Sequence, residues 1–379
     1  YLGSNNPSKD RITTTFIGTW RYQDHLYNKD NGLLWSYAVK PVKTAEVGIR
    51  AYWSGQGQIF VGWGSTDNNG NFTITTELIP YGATNVRAFP ILYAWGPERY
   101  NEKIKVSDPD TSISTWKNPR DRTIWWLPRP AGTPANYVTP GGTCNFSICY
   151  PETATAAITQ PRSGAAIILE TYLHARTFIN PQPTRPLRVM WEPGYDTTTK
   201  YKSTDTIFVC GNTTSNDDEW NDDILLHEFG HYLMHHYAQL RPTSTSPHAW
   251  WNSYPDDTCL AYQEGWAHFF SGRARTGTET DSLIVDTDQG IGSTRAGYLN
   301  LENPWDYSTG GWNPIDSFDG GPWCEGAVAG ALWDIYDSHD EIPYPSYPYS
   351  GFPDTALADT LTVDFDTIWT VFDDYNPPG

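Results

Sequence analysis

The chain has 379 residues, 44 of them acidic and 25 basic, for a formal net charge of −19 at neutral pH. That length accommodates two domains with a real core, and 15% aromatic residues with only 18% charged ones exclude a disordered chain. The acidic balance argues against nucleic-acid backbones, which need clustered Lys and Arg, and no apolar run is long enough to read as a membrane-spanning helix.

The sequence opens at Tyr1 with no signal-peptide pattern, which reads as a processed mature form or trimmed ends. Residues 11–127 are short alternating apolar runs separated by turn signals. The run 16–20 comes first. Val47, Ile49, Ala51 and Trp53 then alternate with Glu46, Gly48 and Arg50, the period-two pattern of a strand. Residues 58–64 form a further run. Asp67-Asn68-Asn69-Gly70 supplies a turn tolerant of positive φ, and Phe72 and Ile74 then alternate with Asn71, Thr73 and Thr75. Runs at 86–95, 104–106 and 123–127 complete about seven strands without a helical period, which predicts an all-β sandwich. The Asp/Asn-rich tip lacks the spaced ligands and terminal Glu of an EF-hand loop, so a plain hairpin turn is the favoured reading over a calcium site.

Segment 45–94 resembles transthyretin-like or carboxypeptidase-regulatory-like accessory domains, on its strand, its Gly-rich run and the hairpin from Thr66 to Thr73. Residues 128–161 contain Pro128, Pro130, Pro134, Pro140, Pro151 and Pro161 with Gly141-Gly142 between them, a composition that forbids a long helix and reads as a connection. The expected organisation is therefore a β-sandwich over 1–127, a Pro-rich linker over 128–161 and a second domain over 162–379.

Three Asn-x-Ser/Thr tripeptides, at Asn71, Asn145 and Asn212, mark candidate N-glycan acceptors. Among the five cysteines, Cys144 and Cys149 bracket four residues within a Pro- and Gly-rich stretch, a short loop that a disulfide can close. Cys259 and Cys324 are a further candidate pair, with Cys210 left as a buried thiol. With few lysines and many Thr, Asn, Tyr and Trp, these features predict a secreted or cell-surface protein.

Six of the nine histidines fall between His227 and His268. Within that window His227-Glu228-Phe229-Gly230-His231 is an H-E-x-x-H motif. On a helix, residues four apart share a face, so both imidazoles reach one ion from one side while Glu228 lies beside it, placed to take a proton from water. The context is helical. Asn221 or Asp222 caps the start, Asp222 and Asp223 suit the positive end, and Leu225, Phe229 and Leu233 form an apolar stripe. Gly230 leaves room for another backbone to approach.

Met234 and Tyr237 stand where a metzincin extension requires Gly and His, which removes that class. A downstream helix over 257–271, with Asp256 or Asp257 as cap and Gly272 as stop, offers Glu264 on a nearly uncharged face. A buried carboxylate is costly there unless a cation meets it. His227 to His231, followed by Glu264-Gly265-Trp266-Ala267, resembles the gluzincin arrangement of zinc metallopeptidases. The segment Glu325-Gly326-Ala327-Val328-Ala329-Gly330-Ala331-Leu332-Trp333-Asp334-Ile335 resembles one found in secreted prokaryotic proteins with the same motifs.

The resemblance implies an α+β zincin-like catalytic domain. It also implies zinc held by His227, His231 and Glu264, Glu228 as general base, and hydrolysis of peptide or protein amide bonds by metal-activated water. The thermolysin pattern has Asn before its ligand Glu and Asp four residues after it, whereas this chain has Gln263 and His268, so thermolysin's substrate preferences do not carry over. His268 can orient a ligand histidine, bind the ion or bind the transition state. His268, Tyr262 and Tyr298 are the oxyanion nominees, and Glu325 is a competing third ligand. Asp334 and Asp337 can orient a ligand from outside, while His235 and His236 read as supporting or packing residues.

Helices are also predicted over 164–178, around Val328 and Leu332, and over 363–372, with strands over 187–191 and 206–210. The rival from another class is a self-assembling surface, adhesive or filament protein that uses the same fold as scaffold. A pure scaffold has no use for Glu228.

Overall fold

The computed structural model describes residues 12–26, 36–95, 104–107, 126–128, 135–150, 161–179, 185–195, 198–202, 205–212, 216–238, 258–276, 283–286, 297–301, 325–337 and 363–374. The chain is of mixed α/β content and divides into two compact units. One comprises residues 1–26, 36–173 and 184–195, the other 27–35, 174–183 and 196–379.

The first unit contains strands β1 (Thr14–Leu26), β2 (Ser36–Pro41), β3 (Glu46–Trp53), β4 (Gln56–Ser65), β5 (Asn71–Thr76) and β6 (Arg87–Tyr93). Short strands β7 (Ile104–Ser107), β8 (Trp126–Pro128) and β9 (Asn136–Tyr137) follow, then β10 (Thr143–Cys149), most of helix α1 (Pro161–Arg176) and β11 (Leu187–Met190). One sheet has the order β10-β1-β2 with β5 also on β1. Another has β4-β3-β6-β8 with β9 on β6. β11 pairs with β7 in parallel.

Alternation explains much of this. β5 buries Phe72, Ile74 and Thr76 and exposes Asn71, Thr73 and Thr75. β3 buries Val47, Ile49 and Ala51 completely. At Gly48, on its other face, a Cβ would come 2.8 Å from the Phe60 ring and 3.0 Å from the Tyr93 ring. Only glycine leaves space for that aromatic group, which includes Trp63 against Phe60 with ring centroids 4.7 Å apart. β4 and β5 lie in different sheets, so the tight turn between them links two sheets and does not close the expected hairpin. Asp67 Oδ1 accepts the Asn69 and Asn71 backbone N–H groups, each at 2.8 Å, and Gly70 takes φ +78°. Asp67 Oδ2 accepts from Asn71 Nδ2 at 3.2 Å, so both oxygens of this carboxylate are engaged within the turn.

β10 corrects the expected cysteine bridge. Cys144 and Cys149 lie on one strand and are not joined. A strand advances about 3.3 Å per residue, so roughly 16 Å separates them, against about 6 Å between the Cα atoms of a disulfide. Both still point inward, five residues apart, because Ser147 takes φ +57° and the register against β1 shifts between Ile17 and Thr19. The extra residue reverses the inside-outside phase of the strand. Cys210 is buried and Cys259 half-buried, and Cys324 lies outside the described residues.

The second unit contains β12 (Lys200–Lys202), β13 (Thr206–Phe208), β14 (Gly211–Asn212), β15 (Asn216–Asp217), α2 (Asp222–His236), α3 (Thr258–Thr276), β16 (Leu283–Asp286), β17 (Gly297–Asn300), α4 (Glu325–Tyr336) and α5 (Phe365–Asp374). β12 pairs antiparallel with β13, β14 with β15 and β16 with β17. α3 runs through Gly272, where the sequence predicts a stop. A Cβ there would sit 2.5 Å from Leu301 Cδ1, so this glycine serves close packing rather than termination. Arg273 on α3 lies among aromatic rings, its guanidinium 4.7 Å from Phe178, 5.1 Å from Tyr336 and 5.6 Å from Phe365.

Candidate metal centre

The start of α2 is fixed by Asn221, whose side chain accepts the Asp223 and Ile224 backbone N–H groups at 3.1 and 3.3 Å. Asp222 and Asp223 then complement the positive end of the helix. α3 packs antiparallel to α2. Near the start of α2, Arg275 of α3 pairs with Asp223 at 2.9 Å, and Ser271 Oγ donates to the Asp223 carbonyl at 2.8 Å. Farther along, the helices close in over glycine. A Cβ on Gly230 would lie 2.9 Å from Ala267 Cα, and one on Gly265 would lie 2.7 Å from the Glu325 carbonyl of α4. Two missing side chains bring three helices together at one level.

At that level three donor atoms converge. His227 Nε2 and His231 Nε2 are 3.0 Å apart, and each is 3.1 Å from Glu264 Oε2. Two imidazole nitrogens and a carboxylate oxygen this close repel unless a proton or a cation lies among them. Tetrahedral zinc with bonds of about 2.0–2.1 Å has ligand–ligand edges of about 3.3 Å, so the triangle needs to open by only a few tenths of an ångström. The donor set and its spacing fit such an ion. Among the described residues this is the group with metal-binding geometry. Glu264 is 9% exposed. Burial pushes its carboxyl up, but the His231 and His227 rings overcome that and hold it well below the usual carboxylate range. His231 mirrors this: burial pulls it down, while Glu264 first, then Glu228 and Glu325, lift it to about 9.

Glu228 follows His227 on α2 and is buried. Its Oε2 accepts the Tyr201 backbone N–H of β12 at 2.5 Å. This fixes one carboxylate oxygen on the backbone of β12, and the carboxylate acts on His231 of the triangle through its charge. His268, one turn beyond Glu264, lies against His227 with ring centroids 4.4 Å apart, so it borders the centre without joining the triangle. Glu325, at the start of α4, is buried and acts on His231 through its charge. His235 and His236 point to a different group: His236 pairs with Asp205, and His235 packs on Tyr201 with centroids 5.9 Å apart. Tyr262 is half-buried on α3. The side chain of Tyr298 lies outside the described residues.

Sequence reasoning missed the hold on Glu228. It comes from a backbone N–H, and a backbone group leaves no residue signature. Asp205 and Gly265 were missed for a related reason, since each matters only through a neighbour distant in the chain.

Residues 176–347 match the mycolysin C-terminal domain family, a span just under half the chain. This match supports a zinc metallopeptidase-like protein with a peptidase-related function. Comparison with curated proteins finds no match. Among solved structures, a 9R-lipoxygenase from Cyanothece PCC8801 aligns at 14% identity over 45% of this chain and 25% of that one, with a TM-score of 0.18. A likeness of that size carries no argument. No helix among the described residues is long and apolar enough to cross a membrane.

Proposed function

We propose that this chain is an extracellular zinc-dependent peptidase: a β-sandwich accessory domain followed by a zincin-like catalytic domain that hydrolyses amide bonds of peptides or proteins. The carrying observation is the triangle of His227, His231 and Glu264, with the Glu228 carboxylate held at its side. His227, His231 and Glu264 would hold the ion. Zinc bound there would supply a Lewis acid and lower the pKa of water towards neutrality.

The chain's own groups do the rest. Glu228 accepts the proton of the attacking water and delivers it to the departing nitrogen. Its second oxygen is available for this while Oε2 stays on the Tyr201 N–H. His268, beside His227, is placed to steady the developing oxyanion or to orient the ligand ring. An extracellular setting accords with the exposed acceptors Asn71 and Asn145, both on strand positions that face outward. We assign N-glycans to them and to Asn212.

Glu228→Gln tests the assignment. The variant should retain one zinc per chain by elemental analysis and lose peptide hydrolysis by about 10²–10⁴-fold, the usual weight of a general base. A variant as active as the parent would sink the proposal. Loss of zinc together with activity would reassign Glu228 as a ligand.

A further inference from the structure

The strand β12 is strapped along α2 at both ends. At one end Thr199 Oγ1 donates to Asp218, which lies just ahead of the Asn221 cap, and accepts the Cys210 N–H at 2.9 Å. At the other, Asp205 pairs with His236 in the last turn of α2. From residue 199 to 202 the strand covers about 10 Å before the chain turns back into β13, where Lys202 pairs with Thr206. Tyr201 falls beside Glu228, its N–H on the carboxylate.

The His236–Asp205 tie is a charge pair on a closely packed ring. The His236 side chain is 4% exposed, and its ring packs on Tyr232 with centroids 4.8 Å apart and on His235 at 4.9 Å. The Tyr201 hydroxyl lies 3.5 Å from His236 Nε2, and the Tyr201 ring stands edge-on to Tyr232 at 6.1 Å. Asp205 takes φ +56°, a left-handed conformation unusual for a residue other than glycine, so the turn is bent to present this carboxylate to α2. β12 itself is only three residues long and lies at the edge of its sheet, with β13 as its ladder partner among the described residues.

We infer that Asp205 and His236 are positioning residues: by tying the β12–β13 hairpin to the end of α2, they keep the Tyr201 N–H on Glu228 and so fix the base at its working position. This rests on the reading of Glu228 as general base. The pair touches none of the three donors, so its loss should alter turnover without altering the metal.

The test compares His236→Ala, Asp205→Ala and His236→Gln, all zinc-loaded. The two alanine variants should lose about tenfold to a hundredfold in kcat, the scale of a small misplacement of a reacting group. KM should stay within about twofold and zinc content at parent level, and the double variant should fall no further than either single one because both break the same tie. His236→Gln, which keeps a donor for Asp205, should recover most of the loss. Hydrogen exchange of the Tyr201 amide, followed by mass spectrometry of the peptide over 199–202, should accelerate in the alanine variants and return towards parent in His236→Gln.

Parent-level kcat in His236→Ala overturns the inference, and so does unchanged Tyr201 exchange or a Gln variant no better than Ala. If the parent itself hydrolyses nothing, the peptidase reading fails, and the exchange measurement still decides whether the tie holds the strand.

Discussion

At the scale of single residues, a metal at the proposed centre would compete with a proton. In protein stripped by chelation, His231 is protonated up to about pH 9, above its ordinary 6.5, and Glu264 stays ionised well below its ordinary 4.5. The stabilisation from His231 is therefore complete below about pH 6.5 and lost as pH rises through about 9. That from Glu264 is present above about 4.5 and lost as pH falls. The stripped protein should be most stable between those limits, and its Tm should decline from pH 6.5 to 9. A His231→Gln variant should lack that decline. Zinc must displace the His231 proton, so apparent affinity should rise about tenfold per pH unit up to about 9. Competitive titration with a chromogenic chelator at several pH values measures this, and a flat profile would show that no proton is exchanged.

At the scale of elements, glycine sets how closely the helices meet. Adding one methyl at Gly230 pushes on Ala267 Cα, a backbone atom that cannot rotate away. Gly230→Ala should cost about 1–3 kcal/mol in thermal or chemical unfolding and weaken zinc binding by spreading the donor triangle. Gly265→Ala, facing the Glu325 carbonyl, should behave alike. Ala267→Gly with Gly230→Ala should recover part of the loss if contact between helices is the cause.

The helices themselves were legible beforehand. The four-residue spacing of His227 and His231, the Asn221 cap and the isolated carboxylate of Glu264 all follow from helical periodicity, which is local. What escaped was non-local. Gly272 looks like a helix stop until Leu301 is seen against it, and Cys144 and Cys149 look like a loop pair until β1 is seen alongside. The grip of β12 on Glu228 joins residues 27 positions apart through a main-chain atom.

At the scale of the whole molecule, the three donors and Glu228 all belong to the second unit. Zinc binding should therefore slow amide hydrogen exchange in α2 and α3 and leave β3 and β6 of the first unit at their metal-free rates. At a free zinc concentration a hundredfold above Kd the stabilisation should reach about 2.7 kcal/mol. Equal protection in both units would contradict a centre confined to one. The net charge of −19 belongs to this scale as well. It favours capture of a divalent cation from dilute solution, an effect that rising salt should reduce.

The Arg273 cage has its own consequence for a protein built around a titrating centre. Its cation is held by the faces of Phe178, Tyr336 and Phe365, an attraction to ring quadrupoles that involves no carboxylate or imidazole. The contact linking α3 to α4, α5 and Phe178 is thus of a different chemical kind from the donor triangle. If the proposed centre gains or loses its ion near one end of α3, the other end of the helix keeps this separate grip on its neighbours.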